Sequence, residues 1–400
     1  MKPALLYLCH RIPYPPNKGD KIRSFHLLQH LSSRCRVFLG AFIDAEGDWE
    51  YTSELDRWCE QTQFLHLNPA QARIRSLTGL LTGKALTLPY YYDARMAHWV
   101  SSVVTGEKID AVVIYSSAMA QYVLDSEYGS MRRIMDLVDV DSDKWRQYSE
   151  KKSWPMNWLY RREADKLFAF ERRSIAMLDY SFFVSGKEAE MFTRLAPETL
   201  HKVGFFNNGV DTEHFSPGLD VASPYSDSCQ AVVFTGAMDY WPNEDAVAWF
   251  AQEEFPKLKR QWPMTVFYIV GSNPTEQVIS LGKIDGVVVT GKVADVRPYI
   301  KHAAVVVAPM RIARGIQNKV LEGMAMARPV VVTTMGLEGI EAEDGREVLI
   351  ADDTDGFLEQ IDIILQGGNR ALGVAARERV CRDFTWEQSL PRIDAQLGLT

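Results

Sequence analysis

The chain has 400 residues, of which 46% are hydrophobic, 24% charged and 11% aromatic. This balance excludes a disordered or collagen-like chain, and the length exceeds what one hydrophobic core ordinarily fills, so two domains are expected. A net charge of −8 argues against a nucleic-acid binder that works through whole-molecule charge.

In chain order, the first apolar run is Ala4–Cys9, ending at His10 and Arg11. It is too short for a signal-peptide core or a membrane span and reads as a buried strand. A helical pattern follows over Asp20–Ser32, where Ile22, Phe25, Leu28 and Leu31 recur at helical spacing. Further strands are expected at Arg36–Phe42, Gln63–Leu67, Asp110–Tyr115, Arg133–Leu137 and Tyr180–Val184. Leu195–Asp227 carries NNGVD (Asn207–Asp211) and a Ser/Pro/Asp-rich stretch, and reads as loop and linker. The rhythm then resumes, with strands expected at Ala231–Thr235, Thr265–Val270, Val287–Thr290, Ala303–Ala308, Pro329–Thr333 and Val348–Ile350. Runs such as AVVVA lack polar alternation, which points to parallel strands buried on both faces. In the closing FTWEQSL (Phe384–Leu390), Thr385 stands three residues before Gln388, a helix-start pattern. The five cysteines stand singly with no zinc spacing, which suits a reducing cytoplasm. No stretch approaches about 18 apolar residues in a row, so any membrane contact is expected to be peripheral.

The segment richest in chemistry is APMRIARGIQNKVLEGMAMARPVVVTTMGLEGI, Ala308–Ile340. Its loop, Met310–Gln317, holds Arg311, Arg314 and Gly315, and a helix is expected to start near Asn318. Backbone N–H groups, the positive helix end, Arg314 and Lys319 would converge on one anion, for which a diphosphate is suited. Lys319 and Glu322 share a helix face, so the carboxylate lies one turn beyond the cation, where it could accept hydrogen bonds from two adjacent ribose hydroxyls. The plainer alternative is a surface ion pair at i, i+3, which the position after a fully apolar strand disfavours. In the first half, Lys18-Gly19-Asp20 follows a Pro-rich turn and opens a helix, where backbone could approach a phosphate closely. An ordinary helix-entry turn would look the same.

RGIQNKVLEGMAMARPVVVTTMGLEG resembles the donor-binding signature of the GT-B retaining glycosyltransferases of family 4. NGVDTEHFSP, FTGAMDYWPNEDAVAWF and FTWEQSL fit the same family in the same order, so the resemblance spans almost the whole chain. PYPPNKGDKIRSFHLLQHL, YYDARMAHWV and MDLVDVDSDKWRQY are similar to the sugar transferases of PEP-CTERM/exosortase loci, found among exopolysaccharide genes.

The resemblance implies a GT-B α/β architecture of two Rossmann-like domains whose parallel sheets face each other across a cleft. It implies an acceptor domain at 1–200, a nucleotide-sugar donor domain at 201–375, and a closing helix at 376–400 that crosses back to the first. Glu322 matches the second glutamate of the family's paired motif and would hold the ribose, while Arg314 stands where the first glutamate usually is. Lys319 matches the residue that neutralises the donor phosphates. Gly236 ends the first strand of the second domain, but the family's usual Arg and Lys after it are replaced by MDYWPN, Met238–Asn243. Phosphate charge would then fall on Arg314 and Lys319, with Arg311. Asn243, Gly315 and Ile316 complete the expected donor contacts, and Gly19 and Asp20 lie opposite them.

Asp139-Val-Asp141-Ser-Asp143 could also be read as the metal-binding DxD of a GT-A enzyme, or as a calcium loop with Glu150 at its twelfth position. The first reading belongs to a one-domain fold, and the second lacks the sixth-position glycine, which is Lys144. Asp139 is instead expected at a strand end near the donor sugar, with Asp141 or Asp143 capping the next helix. Lys144–Arg173 has nine Lys/Arg against four Asp/Glu, interleaved with aromatics. Together with Arg73–Tyr92 it suits an anionic membrane surface or a lipid-diphosphate acceptor, or else an amphipathic helix pair with buried aromatics. No Ser/His/Asp, HExxH, P-loop or dinucleotide-binding motif is present.

The expected activity is transfer of a sugar from a UDP-, GDP- or ADP-sugar to a glycan or lipid-linked acceptor hydroxyl, with retention and without metal or cofactor. Arg314, Lys319 and Asp139 would be the catalytic residues, in the cytoplasm or on the inner membrane face, with no nucleic-acid partner. The alternatives are a nucleotide-sugar 2-epimerase and a non-catalytic nucleotide-sugar binder.

Overall fold

Short runs of Val, Ile, Leu and Phe without polar alternation can be buried only in a parallel sheet covered on both faces, and two such sheets form. The computed structural model describes residues 2–16, 19–125, 128–313, 315–367 and 370–399. It divides into one unit of Met1–Phe206 with Leu390–Thr400 and a second of Asn207–Ser389.

The first unit holds β1 (Ala4–Cys9), β2 (Arg36–Ile43), β3 (Gln61–His66), β4 (Ala111–Tyr115), β5 (Arg132–Val138), β6 (Tyr180–Phe183) and β7 (Val203–Phe205). They form a parallel sheet in the order β3-β2-β1-β4-β5-β6-β7. The segment expected to be loop throughout, Leu195–Asp227, thus contains β7, whose three residues VGF are too few to show a pattern. The short helix Pro391–Leu397 belongs to this unit, where Asp394 meets His30 Nε2 at 2.8 Å and Arg392 donates to Phe205 O at 3.0 Å.

Helix Gly19–Arg34 is fastened to the sheet by a charge. Arg23, fully buried, donates through Nε to Asp136 of β5 at 2.7 Å and through Nη1 to Phe206 O at 3.0 Å, and its guanidinium lies 3.7 Å over the Phe206 ring. β5 ends on Val138 at φ 69°, a left-handed conformation that costs a β-branched residue about 1–3 kcal/mol. Three buried carboxylates hold the following loop. Asp136 accepts from Val138 N at 3.2 Å, Glu188 from Val140 N at 2.8 Å, and Glu171 from the Ser142 hydroxyl at 2.6 Å. The helices after this loop, Asp141–Glu150 and Met156–Met177, pack as an antiparallel pair. Neither Asp141 nor Asp143 caps the first of them: Asp141 is already its first helical residue, and Asp143 accepts from Gln147 at 2.9 Å. The first-turn donors are already satisfied, Ser142 N by Glu171 Oε1 at 3.3 Å and Asp143 N by Val140 O at 3.0 Å, which leaves a side-chain cap little to do.

The second unit holds β8 (Gln230–Thr235), β9 (Thr265–Val270), β10 (Val287–Gly291), β11 (Val305–Ala308), β12 (Val330–Val332) and β13 (Leu349–Ile350), all parallel, in the order β10-β9-β8-β11-β12-β13. Its entry and exit segments lie side by side. Val210 N donates to Phe384 O at 2.8 Å, and a Cβ on Gly209 would come within 2.5 Å of Trp386 N, so no larger residue fits there. This contact gives NNGVD and FTWEQSL a shared structural task, and Thr385 directly precedes the helix Trp386–Ser389. Helix Arg370–Asp383 is part of the second unit.

Two outcomes test this account. Removing one partner of a buried ion pair strands the other, so Arg23→Ala is expected to cost the first unit about 3–5 kcal/mol, while Arg23→Met with Asp136→Leu costs much less. Urea denaturation followed by circular dichroism measures both, and equal midpoints for wild type and Arg23→Ala would refute the role. Burial, reinforced by Asp141, raises the Glu171 carboxyl from 4.5 to about 8. The folded chain then keeps a proton that the unfolded chain has released, so this group's stabilising contribution is present at low pH and is lost as pH climbs toward 8. Glu171→Gln should abolish that decline, so its stability relative to wild type rises between pH 5 and 8 in thermal melts, and a pH-independent difference would refute the assignment.

Candidate functional site

The second unit begins with β8, which has β9 on one side and β11 on the other. The chain therefore winds away from β8 in opposite senses along the sheet, and such a reversal opens a crevice at the carboxyl ends of the two central strands. Two helices start there, Trp241–Trp249 after β8 and Asn318–Ala325 after β11, and among the described residues the N-cap side chains, Tyr240 and Gln317, make no capping hydrogen bond to either. Their positive ends are thus offered to an anion.

The floor of the crevice is bare backbone. A Cβ on Gly271, which follows β9, would stand 1.6 Å from Gly236 O, and one on Gly236 would meet Asn243 Nδ2 at 2.7 Å. Asn243 Nδ2 donates to Ala237 O at 2.9 Å and fixes the turn between β8 and its helix. Asn243 Oδ1, Thr235 Oγ1 and Asn318 Oδ1 are buried and have no hydrogen-bond partner among the described residues. Buried polar atoms are nearly always paired, so three such atoms around these strand ends mark room for a polar ligand.

Lys319 is the second residue of its helix and only 8% exposed. Its ammonium donates to Gln317 Oε1 at 3.1 Å and lies 5.1 Å over the Phe234 ring, which also flanks Gly236. Burial lowers the Lys319 ammonium to about 8, against an upward pull from Glu322, and burial raises the Glu322 carboxyl to about 7. This cation is no surface partner: it is held, desolvated, beside the crevice.

The other expected donor residues distribute unevenly. Gly315 sits at φ 64° and its carbonyl accepts from Gln317 Nε2 at 3.1 Å, and Ile316 is buried in the core. Arg311 is committed elsewhere, making a two-pronged bond to Asp245 at 2.6 and 3.1 Å and lying 5.6 Å over Trp249. Arg314 and Lys18 lie outside the described residues. The loops after β11 and β12 are tied by Thr333, whose hydroxyl donates to Met310 O at 2.7 Å and accepts from Gly336 N at 2.9 Å.

In the first sheet the reversal falls between β1 and β4. Gly19 and Asp20 open the helix packed there, and the Asp20 carboxylate is occupied by Arg11 Nη1 at 2.5 Å. Burial would raise this carboxyl, but Arg11 and His10 hold it below its ordinary value. Arg11 also reaches Asp44 at 2.7 Å. His10, directly after β1, stacks on Tyr115 at the end of β4, with ring centroids 5.7 Å apart. Burial keeps His10 below its usual range, against the field of Asp20. Asp139 and Asp141 converge on Lys144 Nζ at 2.7 and 3.2 Å. Sequence reasoning passed over His10, Arg11, Tyr115, Phe234 and Gln317. The signal for His10 was its place immediately after the first strand, while the others are recognisable only in three dimensions.

Residues 229–367 match the family described as Glycosyl transferases group 1. No curated protein matches the chain. Among solved structures, Anabaena HepE in complex with UDP is similar, with a TM-score of 0.68 and 14% identity over 99% of this chain and 100% of that one, and HepE has also been crystallised with UDP-glucose. Sucrose-phosphate synthase from Thermosynechococcus elongatus gives 0.68 at 16% identity, covering 100% of this chain and 98% of that one. WaaG, a glycosyltransferase involved in lipopolysaccharide biosynthesis, gives 0.63 at 13% identity over 98% and 100%. At such identities the likeness is one of fold. With its two parallel sheets the architecture is GT-B, and the match over 229–367 supports a glycosyltransferase.

Proposed function

We propose that the chain transfers a glycosyl group from a nucleoside-diphosphate sugar to an acceptor hydroxyl with retention of configuration, in the synthesis of an exopolysaccharide or cell-surface glycan. The observation that carries this reading is Lys319, a buried cation in the first turn of a helix beside strand ends where three buried polar atoms lack hydrogen-bond partners among the described residues. The family match includes that helix, and HepE binds UDP and UDP-glucose.

In this reading the Lys319 ammonium and the N–H groups of the first turn after Gly315 and Ile316 hold the diphosphate, and Glu322 accepts from the ribose hydroxyls. Gly236 and Asn243 bound the same space. When the bond to the sugar breaks, negative charge grows on the leaving phosphate, where a fixed positive field in a low-dielectric site lowers the barrier. Front-face attack, with the leaving phosphate taking the acceptor's proton, retains configuration and needs no separate base. The acceptor is a glycan, free or lipid-linked.

A thermal-shift screen against UDP, GDP, ADP and their sugars tests the reading, since a ligand at 100 times its Kd stabilises by about 2.7 kcal/mol. Lys319→Ala should weaken the best nucleotide roughly ten- to hundredfold, the loss of one charged hydrogen bond. Because the anion prefers the protonated amine, wild-type affinity should fall as pH rises past 8, and Lys319→Ala should lack that fall. Unchanged affinity in the variant would sink the phosphate role. Incubation with the bound nucleotide-sugar separates the alternatives, because an epimerase alters it without an acceptor and a non-catalytic binder leaves it intact.

A further inference from the structure

In the first unit, residues 69–92 contain Arg73, Arg75 and Lys84 with no Asp or Glu, and residues 151–162 contain Lys151, Lys152, Arg161 and Arg162, again with no Asp or Glu, in a chain of net charge −8. The fold joins these segments. Arg162 Nη2 donates to Gly79 O at 2.8 Å and to Lys84 O at 3.2 Å, and Glu163 accepts from Thr87 N at 2.9 Å.

Helices Pro69–Ser76 and Thr78–Thr82 meet at Leu77, whose backbone is helical (φ −60°, ψ −22°), so they run on as one. With 3.6 residues per turn, Ala72, Ser76 and Gly79 fall on one stripe, and these are its buried residues. Ile74, Leu77 and Leu81 fall on the opposite stripe and are 70%, 51% and 90% exposed. A surface helix normally turns its large apolar side chains inward. This one packs its smallest residues inward and its largest outward. Nearby, Trp154 and Trp158 are 80% and 57% exposed, and Trp158 lies one turn before Arg162, the residue that reaches Gly79. Arg73, Lys84, Lys151, Lys152 and Arg161 of the two joined segments are all exposed.

We propose that this face docks on an anionic lipid surface. Its leucines, isoleucine and tryptophans enter the boundary between headgroups and acyl chains, and the surrounding cations meet lipid phosphates. The occupant follows from charge: the molecule as a whole is repelled by an anionic membrane, whereas these two segments together carry seven Lys/Arg and no Asp or Glu, and attraction confined within a Debye length also sets the orientation. No helix among the described residues is long and apolar enough to span. The inference goes beyond the transferase reading and does not depend on it.

Co-sedimentation of the full chain with vesicles of phosphatidylcholine alone or mixed with phosphatidylglycerol is the test. Binding should require the anionic lipid and should weaken strongly from about 0.1 M to about 1 M salt, as the Debye length drops from about 10 to about 3 Å. Lys151→Glu with Lys152→Glu should weaken binding more than tenfold, since each cation near the surface contributes about fivefold. Leu81→Ser with Trp154→Ser and Trp158→Ser should do likewise, with melting temperature and nucleotide-induced shift unchanged because all three side chains are exposed. Equal recovery with and without anionic lipid would overturn the proposal. So would binding that the apolar substitutions leave intact, because that would mark a general polyanion site; an RNA oligonucleotide that binds as tightly as the vesicles would do the same.

Discussion

A parallel sheet cannot be built with tight turns, so each strand must be followed by a crossover that returns the chain to the same end of the sheet. When the chain begins in the middle of the sheet and fills one side before the other, the crossovers diverge at that first strand, and nothing covers the gap between them. Both units are wound this way, from β1 in one and β8 in the other. Every feature of the candidate site in the second unit follows from that divergence. The helix starts lie together because β8 and β11 are neighbours, the backbones of Gly236 and Gly271 touch because β8 and β9 end together, and Lys319 is buried because its helix begins against β8.

Burying charge is costly, and where this chain does so the partners are telling. Arg23 has a full set: a carboxylate, a carbonyl and an aromatic face. Such completeness belongs to architecture, since nothing is left over for a ligand. Lys319 has one amide oxygen, the Met310 sulfur at 4.0 Å, a ring face and a carboxylate one turn away, and is correspondingly a weaker base than a lysine in water. It gains most from a further anion. Arg311, by contrast, has spent its planar fork on Asp245, so its motif position and its structural position tell different stories.

Strands were the most legible part of the chain, because a run such as VVVA buried on both faces has no competing explanation. β1 and β9 fall where the apolar runs place them, and most others differ only at an end. β7 escaped because three residues carry no periodicity, and its edge position asks for none. The loop before the helix Asn318–Ala325 was legible as a motif, since glycine before a helix with a lysine at its second position has a mechanical meaning. The loop at Asp139 was not. Its shape is imposed by Asp136, Glu171 and Glu188, the last two from helices far along the chain, and such tertiary partners leave no local trace. The outward-facing stripe at Ile74, Leu77 and Leu81 was visible as composition but not as geometry, because an amphipathic pattern says which residues share a face and not which face is covered.

Three of the four sheet edges are strands of little use as templates, the six-residue β3 being the exception. β7 has three residues and β13 two, and the pairing of β10 with β9 is interrupted by a register shift at Gly291. An unpaired strand edge invites another chain to add to it, and the hazard grows with local crowding. A protein gathered onto a two-dimensional surface is far more crowded than the same number of molecules in bulk solution. Short or interrupted strands at three of the four margins lower that hazard wherever such a chain gathers.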